Sequence, residues 1–141
     1  MIDDVLLNKI LGEVFQLKTP VIDSSRRPQI SEFIKSTTNG DTPKEYLVIN
    51  CDFGKERKGA LIYILTDVKL IKIQIDEKDL SSSSPLLSTI VNINKKLKEE
   101  SRAHIEIQFQ NDNFGLEYNA NNEKINEFFQ KVDLAITQRK T

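Results

Sequence analysis

The sequence predicts an α+β fold in which a largely antiparallel five-stranded sheet carries helices packed on it. Three observations lead there. Tyr46 to Ile75 is the most apolar and most β-branched part of the chain, and it breaks into three short runs, Tyr46–Phe53, Ala60–Thr66 and Leu70–Ile75. Ala103–Gln110 alternates strictly between apolar and polar residues, and Phe114–Tyr118 returns after the turn Asn111-Asp112-Asn113. Apolar residues at three- and four-residue spacing mark helices before, between and after these strands. The expected order is α-α-β-β-β-α-β-β-α in a single domain, 1–141. Residues 1–43 form its helical N-terminal part, and 44–141 hold the sheet, an intervening helix and the C-terminal helix.

The first helix, Asp3–Leu17, has Leu6, Leu7, Ile10, Leu11, Val14 and Leu17 on one stripe. Asp3 and Asp4 sit where the helix dipole favours negative charge. Gly12 weakens such a helix by about 1 kcal/mol relative to alanine, which predicts a close packing contact there. Pro28 opens a second, short helix with Ile30, Phe33 and Ile34 on its apolar face.

In the first strand Leu47, Ile49, Cys51 and Phe53 share a face, and Tyr46, Asn50 and Asp52 take the other. Gly54 and Gly59 bound a hairpin loop. Ala60–Leu65 is apolar on both faces, the mark of a central strand. Thr66-Asp67-Val68-Lys69 is a tight turn, after which Ile71, Ile73 and Ile75 alternate with Lys72 and Gln74.

Pro85–Glu100 reads two ways. Thr89, Ile90 and Val91 favour a strand with Leu87, Val91 and Ile93 on one side. Ser84 as a cap, Pro85 in the first turn, and Leu86, Ile90, Ile93 and Leu97 at helical spacing favour a helix, which is the reading adopted. Asn121 or Asn122 caps the last helix, whose stripe is Ile125, Phe128, Phe129, Val132 and Ile136.

Composition narrows the function classes. The net charge of −1 and pI near 5.9 weigh against general nucleic-acid binding, which needs a basic excess or stripe. No apolar run reaches the roughly 20 residues that span a bilayer. The start, Met1-Ile2-Asp3-Asp4, lacks the basic region of a secretory signal. A single cysteine cannot form an internal disulfide, so the cytoplasm is the expected compartment.

No reactive constellation is spelled out, and the expectation is no catalytic residue, no metal site and no cofactor. Cys51 reads as a small buried hydrophobe and His104 as a water-facing neighbour of Glu106. Asp76, Glu77 and Asp79 lack the glycine and final glutamate of an EF-hand loop. Glu56-Arg57-Lys58 matches the acid-x-Lys pattern of metal-dependent nucleases, but in a glycine-bounded loop. A nuclease or hydrolase is therefore the third function class considered.

The first is a non-enzymatic protein-protein interaction module: an adaptor, an assembly factor or an inhibitor of the immunity type. Arg26, Arg27, Lys55, Arg57 and Lys58 are its candidate binding residues, with an outward part of the first helix. The expected partner is another protein or a second copy in a homodimer. The second class follows from a resemblance. Gly59-Ala60-Leu61-Ile62-Tyr63-Ile64-Leu65-Thr66-Asp67-Val68-Lys69-Leu70-Ile71 resembles the β-hairpin of bacterial pleckstrin-homology domains, and the last helix, Glu123–Thr137, sits where theirs does. The resemblance implies an anionic headgroup or phosphate held by the basic loop of Lys55, Arg57 and Lys58. A helix over Pro85–Glu100 departs from that pattern.

Overall fold

Strand β2 (Ala60–Leu65) is buried at every residue. A strand dry on both faces must satisfy its backbone through neighbours on both edges. It does so between β1 (Glu45–Asn50) and β3 (Leu70–Ile75), both antiparallel to it. The computed structural model describes residues 2–18, 21–50, 59–99 and 101–139, excepting the side chain of Arg139. The expected ends of the first strand, Cys51–Phe53, lie outside the described residues, as does most of the loop bounded by Gly54 and Gly59.

Contacts divide the chain into two compact units, Met1–Ser84 and Pro85–Thr141. The first is a four-stranded meander in the order β1-β2-β3-β4, with β4 at Leu80–Ser83. One face carries Val48, Ala60, Ile62, Ile64, Ile71, Ile73 and Ile75. Helices α1 (Asp4–Gln16) and α2 (Arg27–Thr37) lay Leu7, Ile10, Leu11, Val14, Ile30 and Ile34 on it. Asp3 caps α1 by accepting from the Leu6 amide at 2.7 Å. Tyr46 of β1 hydrogen-bonds Glu13 of α1, and desolvation together with that carboxylate pushes its phenol up to about 12. Leu47, Leu61, Tyr63, Leu65 and Leu70, on the opposite face, are also buried. The turn at Thr66 is closed by its amide donating to the Lys69 carbonyl at 3.0 Å. Gly12 meets nothing within 4 Å of a built Cβ, so the close contact expected there is absent.

The second unit is a three-stranded meander, β5 (Ile90–Lys98), β6 (Arg102–Phe109) and β7 (Asn113–Asn119), followed by α3 (Glu123–Arg139). Ala103, Ile105 and Ile107 pair with Tyr118, Leu116 and Phe114, giving one buried face. Phe109 and Phe114 meet edge to face with centroids 5.2 Å apart. Asn122 caps α3, accepting from the Ile125 amide at 3.1 Å. Ile125, Phe128, Phe129, Val132 and Ile136 are buried, as the stripe predicts.

Two expectations are corrected. The strands form two sheets, of four and three, instead of one sheet of five. Pro85–Glu100 does not hold a helix capped at Ser84. It holds a short 3-10 turn, Leu87–Thr89, and then strand β5, so the expected helix order fails there. The reason is a bulge. Ile90 pairs with Phe109 and Ile93 with Ile107, so the register slips between Ile90 and Asn92. Ile90 and Ile93 then share a face although three apart, and Leu97 joins them four further on. A bulged strand has thus reproduced helical spacing. Ser81, Ser82 and Ser83 of β4 carry little strand preference, yet β3 offers them an open edge.

Replacing Ile73, fully buried between Ile62 and Ser82, by alanine should cost about 2–5 kcal/mol. Leu97→Ala, at a side chain 73% exposed, should change stability by no more than about 0.5 kcal/mol. Urea denaturation of both variants measures the contrast, and equal effects would contradict this account of the core.

Candidate binding surfaces

Among the described residues the longest open sheet edge belongs to β5. It has β6 on one side and no strand of its sheet on the other. Seven of its nine residues are exposed, Ile90 and Ile93 being half-buried. Val91 at the bulge is 65% exposed and Leu97 73%. Register on β6 sends Ile93, Lys95 and Leu97 to the face of Ile107, Ile105 and Ala103. Asn92, Asn94, Lys96 and Lys98 go to the face of Gln108, Glu106, His104 and Arg102. The edge therefore offers unpaired backbone groups flanked by apolar and cationic side chains.

That polar face of the meander is cross-linked. Lys98 reaches Glu117 at 2.6 Å. His104 lies with Nε2 at 3.6 Å from Glu106 and Nδ1 at 3.9 Å from Glu117. Asn113 and Gln108 donate to Glu106 at 2.9 and 3.3 Å. Gly115 lies beside the imidazole, and a Cβ there would meet its Cε1 at an ordinary contact distance of 3.6 Å. The hydrogen bonds from Asn113 and Gln108 hold Glu106 below its usual pKa. The bond from Lys98, and its charge, do the same for Glu117. His104 thus sits beside Glu106 on the outer face, as alternation predicts.

The candidate binding residues take different places. Arg26, in the 3-10 turn Ser24–Arg26, donates from Nη1 to the Asp76 carbonyl at 2.6 Å. This ties the entry of α2 to the end of β3. Arg27 stacks over Phe15, its guanidinium carbon 5.6 Å from the ring centroid, and so pins α2 to α1. Lys55, Arg57 and Lys58 lie outside the described residues, as do Cys51, Asp52 and Glu56. The connection that carries them leaves β1 after Asn50 and enters β2 at Ala60, and these two residues are register partners. Ala60 also pairs with Ile75, next to Asp76. Arg26 is therefore anchored at the same end of the sheet from which the basic connection emerges.

A shallow groove of about 540 Å³ lies between α2 and β4, lined by the apolar Phe33 and Leu80 and by Glu32, Lys78 and Asp79. Asp76 and Asp79 are engaged in the turn before it, the Asp76 amide donating to the Asp79 carbonyl at 2.9 Å. Among the described residues no three histidine, cysteine or carboxylate side chains gather as a metal site. No described helix is long and apolar enough to cross a membrane.

The β5 residues were not named as binding residues from sequence, because a helix would have scattered them. The signal that could have found them is the β-branched run Thr89-Ile90-Val91, whose composition favours a strand. Comparison with protein families, with curated proteins and with solved structures gives no match to this chain.

Glu106 and Glu117 have folded pKa values below their ordinary value of 4.5. Such groups contribute stability that is present above the unfolded value and is lost as pH falls through the folded one. Stability should thus hold above about pH 4.5 and decline below it. Glu106→Gln and Glu117→Gln should each make that acid decline shallower in urea titrations. An unchanged acid slope in both would show that the network does not hold these carboxylates.

Proposed function

We propose that this chain is a non-enzymatic protein-binding module, of the adaptor, assembly-factor or inhibitor kind, acting through a preformed sheet edge. The observation that carries the reading is β5: nine residues, open along one side, bearing Val91 and Leu97 far out in solvent. An open edge is a template onto which an extended segment of another protein can add, with main-chain hydrogen bonds supplying affinity. The buried faces of β6 and β7 hold the template in shape, so little ordering is needed on binding. A photo-cross-linking residue at position 97 should give a discrete protein adduct in the source cell, and one at position 21, exposed but remote in sequence from any strand edge, should not. Equal labelling from both positions, or none from position 97, would count against the edge.

A second reading is supported by a different observation. The segment that resembles pleckstrin-homology hairpins is β2 turning into β3, and the stretch that departed from that pattern as a helix is a strand. Arg26 anchors the end of the sheet from which the connection with Lys55, Arg57 and Lys58 emerges. On this reading the basic connection takes an anionic headgroup. Each basic residue near an anionic membrane contributes roughly 1 kcal/mol, so changing Lys55, Arg57 and Lys58 together to alanine should weaken vesicle binding about a hundredfold. The measurement is sedimentation with phosphatidylserine-containing vesicles at low and high salt. Binding that survives the triple substitution removes the connection from this role.

A further inference from the structure

We propose that the β5 edge recognises an extended acidic segment of a partner protein, with consecutive acids opposite Lys95 and Lys96 and apolar residues opposite Ile93 and Leu97. The inference rests on the protein-binding reading of this edge and adds the chemistry of its partner.

The strand carries Lys95, Lys96 and Lys98 and no acidic residue. Glu117 holds Lys98 at 2.6 Å. Neither Lys95 nor Lys96 has an ion pair with a described residue. The pairing with β6 puts Lys95 opposite Ile105 and Lys96 opposite His104, so the two point to opposite faces of the sheet. An added strand alternates in the same way. It meets one cation on each face at adjacent positions, and two consecutive carboxylates answer both. Ile93 and Leu97 flank Lys95 two residues away on its own face, where apolar residues of the added strand would cover them. The recognised pattern is apolar, acid, acid, any residue, apolar, across the positions facing Leu97 to Ile93.

Charge also selects against a second copy. In a β5–β5 pairing the lysines of both chains would gather in one ribbon that contains no acid. Lysine on an edge strand is a known device against such self-pairing. An acidic partner turns that repulsion into attraction and gains specificity from it.

The test uses the full chain and a fluorescein-labelled peptide with Val-Glu-Glu-Thr-Val between threonines. The control peptide has glutamines in place of the glutamates. Binding is followed by fluorescence anisotropy at low and high salt, and amide shifts locate it. The glutamate peptide should bind more tightly, lose affinity with salt and shift the β5 amides. An opposite-charge cross-strand pair is worth up to about fivefold in affinity, so Lys95→Glu with Lys96→Glu should weaken the glutamate peptide by more than tenfold. Both side chains are exposed, and an unchanged thermal melt would show that the variant folds. Equal affinity for both peptides, no effect of the double substitution, or no binding would overturn the acidic assignment. If a cross-linker at position 97 still captures a protein in any of those cases, the edge remains a docking site of other chemistry. If it does not, the protein-binding reading fails with it.

Discussion

A strand with no wet side leaves its backbone no recourse to water, and β2 is such a strand. Every amide and carbonyl along Ala60–Leu65 must find a partner in the chain, which obliges β1 and β3 to lie against it in register. Once that pairing is set, the even residues of β1 and β2 and the odd residues of β3 fall on one face, and α1 and α2 have an apolar floor. Burial of that isoleucine set stabilises each side chain by roughly 1.5–3 kcal/mol. The turn at Thr66 and the bond from Arg26 to Asp76 then fix features whose positions the pairing has already determined.

Much of this was legible. The strands 45–50, 60–65 and 70–75 follow from β-branched density, and the three helices from their stripes and caps. What the letters hid was the division into two sheets. Two strands escaped for different reasons. Ser81, Ser82 and Ser83 carry almost no intrinsic strand preference and are ordered by what β3 offers them. Ile90, Ile93 and Leu97 carry a strong signal of the wrong period, because one extra residue in β5 moves the apolar set from a two-residue rhythm to a three- and four-residue one. In Thr89-Ile90-Val91 side-chain chemistry favours the strand, while the apolar spacing favours a helix.

The binding surfaces were less legible than the fold. Arg26 and Arg27 were singled out for charge, and the structure places both in contacts inside their own unit, one on a carbonyl and one on Phe15. Those roles do not depend on any ligand. They hold α1, α2 and the end of β3 in fixed relation. The outward residues of β5 gave no warning, since an edge is a property of pairing and not of composition. Val91, Lys95 and Leu97 become neighbours of an open edge only once β6 has taken the other side.

The slip between Ile90 and Asn92 makes residue count, and not only residue type, part of the information in this strand. From Asn92 onward each side chain is assigned to the dry or the polar side of the sheet by how many positions precede it. A chain shortened by one codon at Val91, with the turn after Lys98 unmoved, would lose the bulge and keep Ile90 opposite Phe109, now two positions before Ile93 on the dry side. The three-residue spacing would vanish, and the remaining letters would read as a plain alternating strand.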